Sequence, residues 1–378
     1  MDLSKAFDTI NHKLLIAKLR AYGFDIPSLE ILFDYFSDRW QRTKINSSFS
    51  SWSLILCGMA QGSVLGLFCF RFLTYINDLF YLFIQACVCN MADDTTPYSC
   101  GVSLPSLIRR LEGDVASVIY WFSANFMILN PDKCHFLIAG PRTAAEQLYI
   151  EVGGQVIWES SQERLLGLTI EKSLKFQEHV SDICKKASPK LTALARLARI
   201  VPFDKKRLLM NSFIQSQFSN CPLLWMFCSK DLNNRINSVH KRALRIIYLD
   251  YTSTFSELLE RDGSVTIHHR NIQLLAVEMF KVIRKIGPEI MRDLFVFSCD
   301  TRSGRAFCRP NVNTVYNGEN SVRYLGPIVW DEMLPERFKS IQELEDFKRE
   351  IKKWTPIGCP CSLCKEYIGG VGVVATFE

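Results

Sequence analysis

The chain has 378 residues, 48% hydrophobic and 12% aromatic, with a net charge of +6. Its length exceeds one ordinary core and predicts two or three domains, and its apolar content excludes a disordered, merely solvated chain. Fourteen cysteines do not make it a secreted disulfide scaffold. No basic, apolar, small-residue leader begins at Met1, and the cysteines are spread through apolar runs. Free, mostly buried thiols in a reducing compartment are expected. The apolar stretch from Val64 to Cys89 is broken by Arg71, Asn77 and Asp78, which leaves no run long enough to span a bilayer. These features together predict a soluble intracellular protein, nuclear or cytoplasmic.

In chain order, Asp2-Leu-Ser is the stub of a strand. Thr9 or Asn11 then caps a helix with Leu14, Leu15 and Leu19 on its apolar side, ended by Gly23. A second helix follows Pro27, with Leu29, Leu32, Phe33 and Phe36 at helical spacing. Gln41 to Leu56 predicts a hairpin turning at Asn46-Ser-Ser. A glycine-punctuated segment, Gly58 to Gly66, precedes an apolar helix ending near Leu79. Phe80 to Cys89 and the residues after Asp94 predict two short strands with Asp93 and Asp94 at the turn. Leu107 to Leu129 predicts a helix burying Trp121 and Phe122. Strands are expected at Cys134 to Ala139, Val156-Ile157 and Leu165 to Ile170.

The pattern changes near Lys172. Helical periodicity runs to about Leu249 through Leu191, Leu194 and Leu197, then Leu208, Phe213 and Phe218, then Ile236, Val239, Leu244 and Ile247. From Lys172 to Arg245 there are 15 Lys and Arg against 4 acids, whereas Met1 to Cys100 has 8 against 9. A helical bundle with that basic exterior suits a polyanion such as nucleic acid. Another helix is expected within Ser264 to Arg292. An irregular polar stretch follows from Phe297 to Tyr324, and a last amphipathic helix lies around Ile341 to Ile351.

The candidate chemistry begins at Met91-Ala-Asp-Asp-Thr95. Adjacent carboxylates repel each other unless a cation neutralises them, and a hairpin turn can aim both at one divalent metal. Magnesium takes such hard oxygen ligands and keeps positions open for phosphate oxygens. By itself this pair is equally an exposed acidic turn. Asp2, at a strand-to-helix junction, is the third candidate carboxylate. Three such groups can hold two magnesium ions for in-line phosphoryl transfer. In Cys57-Gly-Met-Ala-Gln-Gly-Ser-Val-Leu-Gly66 the glycines permit close backbone approach, and Gln61 is a candidate nucleotide or template contact.

These elements, in this order, resemble the non-LTR (LINE-type) retrotransposon reverse transcriptases, in particular their jockey-like branch. Asp2-Leu-Ser-Lys-Ala-Phe-Asp8 is similar to motif A of that family. The resemblance makes Asp2 a metal ligand and Phe7 the bulky residue that screens against a ribose 2′-hydroxyl. Cys57 to Gly66 resembles motif B, with Gln61 and Gly62 at the nucleotide and template positions. Ala92-Asp93-Asp94-Thr95 resembles motif C, with Asp93 and Asp94 as metal ligands. Trp121 with Leu129-Asn-Pro-Asp-Lys-Cys134 resembles motif D, which makes Lys133 the general acid toward pyrophosphate. Leu165-Leu166-Gly167 resembles the primer-gripping turn of motif E. Ser216 to Trp225, Asn233 to Asn237, His240 to Arg245, Thr266 to Arg270 and Tyr324 to Trp330 resemble later segments of the same branch.

The resemblance implies an α+β right-hand polymerase palm over residues 1–171, a basic helical thumb over 172–250 and a mixed C-terminal region over 251–378. It also implies RNA-directed DNA polymerase activity on an RNA template, a DNA primer and deoxynucleoside triphosphates, with magnesium or manganese as the metal. Lys185, Lys186, Lys190, Arg196 and Arg199 are the expected duplex contacts. Ala60 and Leu67 stand where motif B usually has proline, and Met91 stands where motif C usually has an aromatic residue. The family's fingers region and endonuclease would precede motif A, and the sequence has no counterpart of them. The alternative reading is therefore a truncated, inactive remnant that binds nucleic acid.

In the tail, Cys359, Cys361 and Cys364 are candidate zinc ligands, with Cys299 or Cys308 to complete the set if the fold brings either close. The other reading of these thiols is a reduced tail without metal. His268 and His269 are expected to serve as structural or nucleic-acid contacts at a helix start rather than as metal ligands.

Overall fold

The structure is a computed structural model that describes residues 1, 3, 7–58, 72–82, 85–91, 94–140, 147–299, 304–314, 318–361 and 363–364. The expected site residues Asp2, Gln61, Gly62 and Asp93 lie outside the described residues, as does most of the glycine-punctuated segment. Helices and strands are mixed in an α+β arrangement divided into two units. One is Met1–Ile138 with Arg142–Ser161, and the other is Ala139–Pro141 with Gln162–Glu378.

The first unit opens with helix α1 (His12–Ala21), capped by Asn11, whose side chain accepts from the Leu14 amide at 3.0 Å. Helix α2 (Ile26–Phe36) is capped by Asp25. Strands β1 (Trp40–Gln41), β2 (Lys44–Ile45), β3 (Ser48–Phe49) and β4 (Ser53–Leu54) form one exposed hairpin, β1 pairing with β4 and β2 with β3. Its turn includes Asn46 in the left-handed region, φ 54°. Helix α3 (Phe72–Ile76) runs on as a 3₁₀ helix over Asn77–Leu82. The strand expected from Phe80 therefore begins only at β5 (Cys87–Met91), because residues up to Leu82 remain helical. It pairs with β6 (Asp94–Tyr98).

Helix α4 (Leu104–Ala124) buries Trp121 and Phe122 as expected but stops five residues short of Leu129. Phe126 adopts φ 58°, and the Met127 amide returns to the Phe122 carbonyl at 2.8 Å. That left-handed closure satisfies carbonyls that a continuing helix would have used. One face of α4 sends Val118, Trp121 and Phe122 into a core shared with α1 and α2, while Val115 joins a second core with Cys134, Phe136 and Ile150. Cys134 to Ala139 makes a single bridge, Phe136 to Glu159, rather than the strand expected there. Strands β7 (Tyr149–Val152) and β8 (Gln155–Trp158) turn through Gly153 and Gly154, both at positive φ.

In the second unit, Leu165 to Ile170 is broken into two strands instead of one. β9 (Gln162–Leu165) and β10 (Leu168–Glu171) are joined by Leu166 at φ 49° and Gly167 at φ 83°. Helices follow at α5 (Gln177–Leu197), α6 (Phe203–Leu209), α7 (Pro222–Trp225), α8 (Lys230–Tyr248) and α9 (Phe255–Asp262). The hydrophobic stripe is kept at Leu191, Leu194, Ile236 and Leu244, whereas Leu197, Leu208 and Phe213 are exposed. A π turn over Met210–Ile214 widens the helix and shifts its buried face to Met210 and Ile214.

A further core surrounds α10 (Ile267–Arg284), with α11 (Glu289–Asp293), α12 (Val322–Ile328), α13 (Glu336–Lys339) and α14 (Leu344–Ile351) following it in the chain. Thr266 caps α10, and Lys285 in the left-handed region ends it well before Arg292. Among the described residues, no helix is long and apolar enough to cross a membrane.

His240 on α8 is 2% exposed, and neither ring nitrogen has a hydrogen-bond partner. Burial, aided by the charge of Arg270, pushes its pKa down to about 3. The ring is therefore neutral in the folded chain, whereas the unfolded chain binds a proton below about pH 6.5. Stability should be full above that pH and fall as the pH drops, by at most about 1.4 kcal/mol per unit from this group. Denaturant midpoints at pH 7.5 and pH 5 should differ more for the native chain than for His240→Leu. Equal differences would remove His240 as the cause.

Candidate active site

Asp94 of the paired-carboxylate motif opens β6 on the β5–β6 hairpin, whose register runs from Cys87 opposite Tyr98 to Met91 opposite Asp94. Asp94 is exposed beside Thr95, which is buried and takes a hydrogen bond from Asn90 Nδ2 at 3.0 Å. The start of β5 is fixed from α4. The buried Asp114 carboxylate accepts the amides of Gln85 at 3.0 Å and Ala86 at 2.7 Å. A carboxylate receiving two backbone donors away from water is a strong local anchor.

The beginning of the chain is bound to this hairpin. The Met1 nitrogen donates to the Thr95 carbonyl at 2.9 Å, and the Thr95 amide donates to the Met1 carbonyl at 3.3 Å. Leu3 bridges antiparallel to Leu129. Asp2 itself lies outside the described residues, but both of its neighbours are held, one at motif C and one at motif D. Beyond Leu129, Pro131–Lys133 forms a 3₁₀ turn, closed by the Lys133 and Cys134 amides, with the Lys133 side chain exposed.

Motif B is stitched to the end of motif A. Asn11 bridges to Cys57, the Gly58 amide donates to the Ile10 carbonyl at 2.8 Å, and His12 Nε2 donates to the Gly58 carbonyl at 2.6 Å. Since a carbonyl only accepts, that contact places a proton on Nε2. Gly58 has φ +86°, and a Cβ there would meet the Asp8 carbonyl oxygen at 2.8 Å. Only glycine allows this approach. Phe7 is half-buried against the core of α1 and α2.

Lys18 braces α1 against the 72–82 segment and α4. Its ammonium donates to the Tyr75 carbonyl at 2.7 Å and to Asp78 at 2.8 Å, and it lies over the rings of Tyr75 and Trp121. Burial pulls its pKa down, and Asp78 opposes that pull. The Tyr75 hydroxyl donates to the Asn125 carbonyl at 2.8 Å, and burial pushes its pKa up to about 12.

In the second unit the exposed Leu166–Gly167 turn is held by Asn220, whose Nδ2 reaches the Leu166 carbonyl at 3.4 Å. Trp225 Nε1 in turn donates to the Asn220 carbonyl at 2.9 Å. On and just after α5, Lys185, Lys186, Arg196 and Arg199 are exposed and Lys190 is half-buried. Lys185 has only a loose pairing with Asp182, at 3.5 Å.

Residues 1–170 match the family described as reverse transcriptase (RNA-dependent DNA polymerase). That span contains every motif from Asp2 to Gly167. Residues 1–170 are a reverse-transcriptase region. It is also 24% identical, over 265 residues, to a probable RNA-directed DNA polymerase from transposon BS of Drosophila melanogaster. The match covers 65% of this chain, more than residues 1–170 can hold, so the likeness continues past the reverse-transcriptase region. The chain spans 28% of that relative's length. That relative's name, an RNA-directed DNA polymerase of a transposon, agrees with the expected kinship.

Outside the reverse-transcriptase region, Cys359, Cys361 and Cys364 do not meet Cys299 or Cys308, which are exposed. They meet His268, a residue whose place at a helix start predicts a structural or nucleic-acid contact and not a metal ligand. The described cysteines are all free thiols, but the expectation of mostly buried ones fails: Cys57, Cys87, Cys89, Cys100 and Cys221 are exposed as well. Sequence reasoning also misses the supporting residues Lys18, Asp114 and Asn220. Asp114 carries a usable signal, a carboxylate among the apolar positions of a helix that buries Val115 and Val118.

Gly58→Ala should destabilise the chain by about 1–3 kcal/mol, from left-handed backbone strain and the collision with Asp8. Gly23→Ala, also at positive φ but with open space around it, should cost less. Paired urea titrations check the order, and a larger loss at Gly23 would refute the role given to the Asp8 contact.

Proposed function

We propose that this chain carries the polymerase of a non-LTR retrotransposon: RNA-directed DNA synthesis by in-line nucleotidyl transfer. The observation supporting it most directly is the joining of three motifs by backbone pairing, Met1 to Thr95 and Leu3 to Leu129. This pairing suits a polymerase palm, in which carboxylates from separate segments converge. The helical α5–α8 region corresponds to a thumb.

Asp2, Asp93 and Asp94 would hold magnesium. Carboxylate oxygens are the hard donors this ion takes, and Asp94 is exposed to receive it. Bound there, magnesium would neutralise phosphate charge and lower the pKa of the primer 3′-hydroxyl. Phe7 excludes a ribose 2′-hydroxyl, Gln61 and Gly62 position nucleotide and template, and Lys133 protonates the leaving pyrophosphate. The Leu166–Gly167 turn seats the primer end. Lys185, Lys186, Lys190, Arg196 and Arg199 hold the RNA–DNA duplex by its phosphates.

Primer extension on an RNA template should be measurable with the native chain and fall more than about 100-fold in Asp94→Asn. Loss of a direct ligand should exceed the 10–100-fold typical of outer-shell changes. No extension by the native chain, or equal extension by both, rejects the polymerase reading. Lys185→Ala with Lys186→Ala should flatten the dependence of log K on log salt by about 0.7–0.9 for each phosphate that is no longer neutralised. An unchanged slope in filter binding would remove α5 from the interface.

A further inference from the structure

The second unit brings together four soft ligands that are far apart in sequence. His268 stands in the first turn of α10, and Cys359, Cys361 and Cys364 lie beyond α14. Their donor atoms all lie within 4.8 Å of one another, with His268 Nε2 3.3 Å from Cys361 Sγ. Three of the four residues are buried and Cys364 is partly so.

We propose that His268, Cys359, Cys361 and Cys364 form a structural zinc site that clasps the C-terminal segment to the start of α10.

The donor set selects the metal. Thiolates with one imidazole suit Zn²⁺, whereas the carboxylates assigned to magnesium are hard donors. Tetrahedral zinc with bonds near 2.0–2.3 Å puts its ligand atoms roughly 3.3–3.8 Å apart. The observed cluster needs only small contractions to reach that size. Four protein ligands leave no open position, which marks the site as structural rather than catalytic.

The backbone around the cluster is prepared for it. Thr266 caps α10, its Oγ1 accepting the His269 amide at 3.2 Å, and so sets the turn that presents His268. Gly358 at φ +78° turns the chain into Cys359, and the Cys364 amide closes back on the Cys361 carbonyl at 3.1 Å. Five residues along α10, Gln273 Nε2 donates to the carbonyls of Trp354 at 2.6 Å and Lys352 at 3.3 Å. The helix thus grips the same segment at two points, one by amide and one by metal. Cys359, Cys361 and Leu363 share a core with Phe347 and Trp354, so the clasp closes over packed apolar surface. Binding zinc here ties residues about ninety positions apart, His268 and Cys361, and its free energy adds to folding.

The test is metal content and cobalt spectroscopy on the purified full chain. About one zinc per chain should survive dialysis, and Co²⁺ should replace it with the thiolate charge-transfer and tetrahedral d–d bands of a three-sulfur, one-nitrogen set. His268→Ala should weaken metal retention against a competing chelator at least tenfold and shift the d–d bands. If that variant does not fold, His268→Cys decides: it should keep one metal and give a four-thiolate spectrum. The proposal is overturned if the native chain retains no zinc, or if thiol counting after metal removal finds these cysteines already paired as disulfides. It is equally overturned if the His268 variants leave both spectrum and affinity unchanged. None of these readouts depends on polymerase activity.

Discussion

The first unit depends on one half-buried ammonium. Lys18 leaves α1 and meets the Tyr75 carbonyl, the Asp78 carboxylate and the face of Trp121, and so touches the 72–82 segment and α4 at once. Burying that charge costs free energy, which is why its pKa is pulled down, and Asp78 and the two rings offset the cost. Such a node adds little net stability compared with an apolar replacement, but losing one partner strands the other. Its value lies in geometry: it ties α1 to the 72–82 segment and to α4 at one point.

Those segments are held mainly by backbone. Met1 pairs with Thr95 across 94 positions, Leu3 bridges Leu129, and Gly58 packs against Asp8 so closely that no side chain fits. Backbone pairing sets strand positions to within a fraction of an ångström and tolerates sequence change at most positions. The carboxylates then need only be present at the right places on the strands. Asp114 extends the same logic: a side chain on α4 satisfies the two amides at the entrance to β5, which a strand start would otherwise leave unpaired.

The two proposed metal sites differ in ligand hardness. Aspartates would suit an exchangeable magnesium with positions open to phosphate oxygens, while the buried thiols and imidazole would suit a closed structural zinc. Exposure follows the same division, Asp94 facing solvent and Cys359 fully buried.

The sequence determined the motif order and the family resemblance, because both reside in short runs of adjacent residues such as Asp2 to Asp8 and Ala92 to Thr95. It also determined α1, α2, the Asn46 hairpin and α10, whose caps and periodicity are local signals. It misjudged elements where a local pattern was overruled. Leu165 to Ile170 reads locally as one strand, but Leu166 and Gly167 turn it back, as the likeness to motif E implies. The helix meant to reach Leu129 closes at Phe126, and a π turn exposes Leu208 and Phe213. Tertiary structure alone decided what lies across long separations. Asp114 on the β5 amides, Asn220 on the Leu166 turn and Lys18 between Tyr75 and Trp121 are each defined by a partner dozens of residues away, which no local pattern encodes. His268 is the clearest case. In the sequence it is one of two adjacent histidines at a helix start, and only the folding of the tail back onto α10 puts its Nε2 among three thiols.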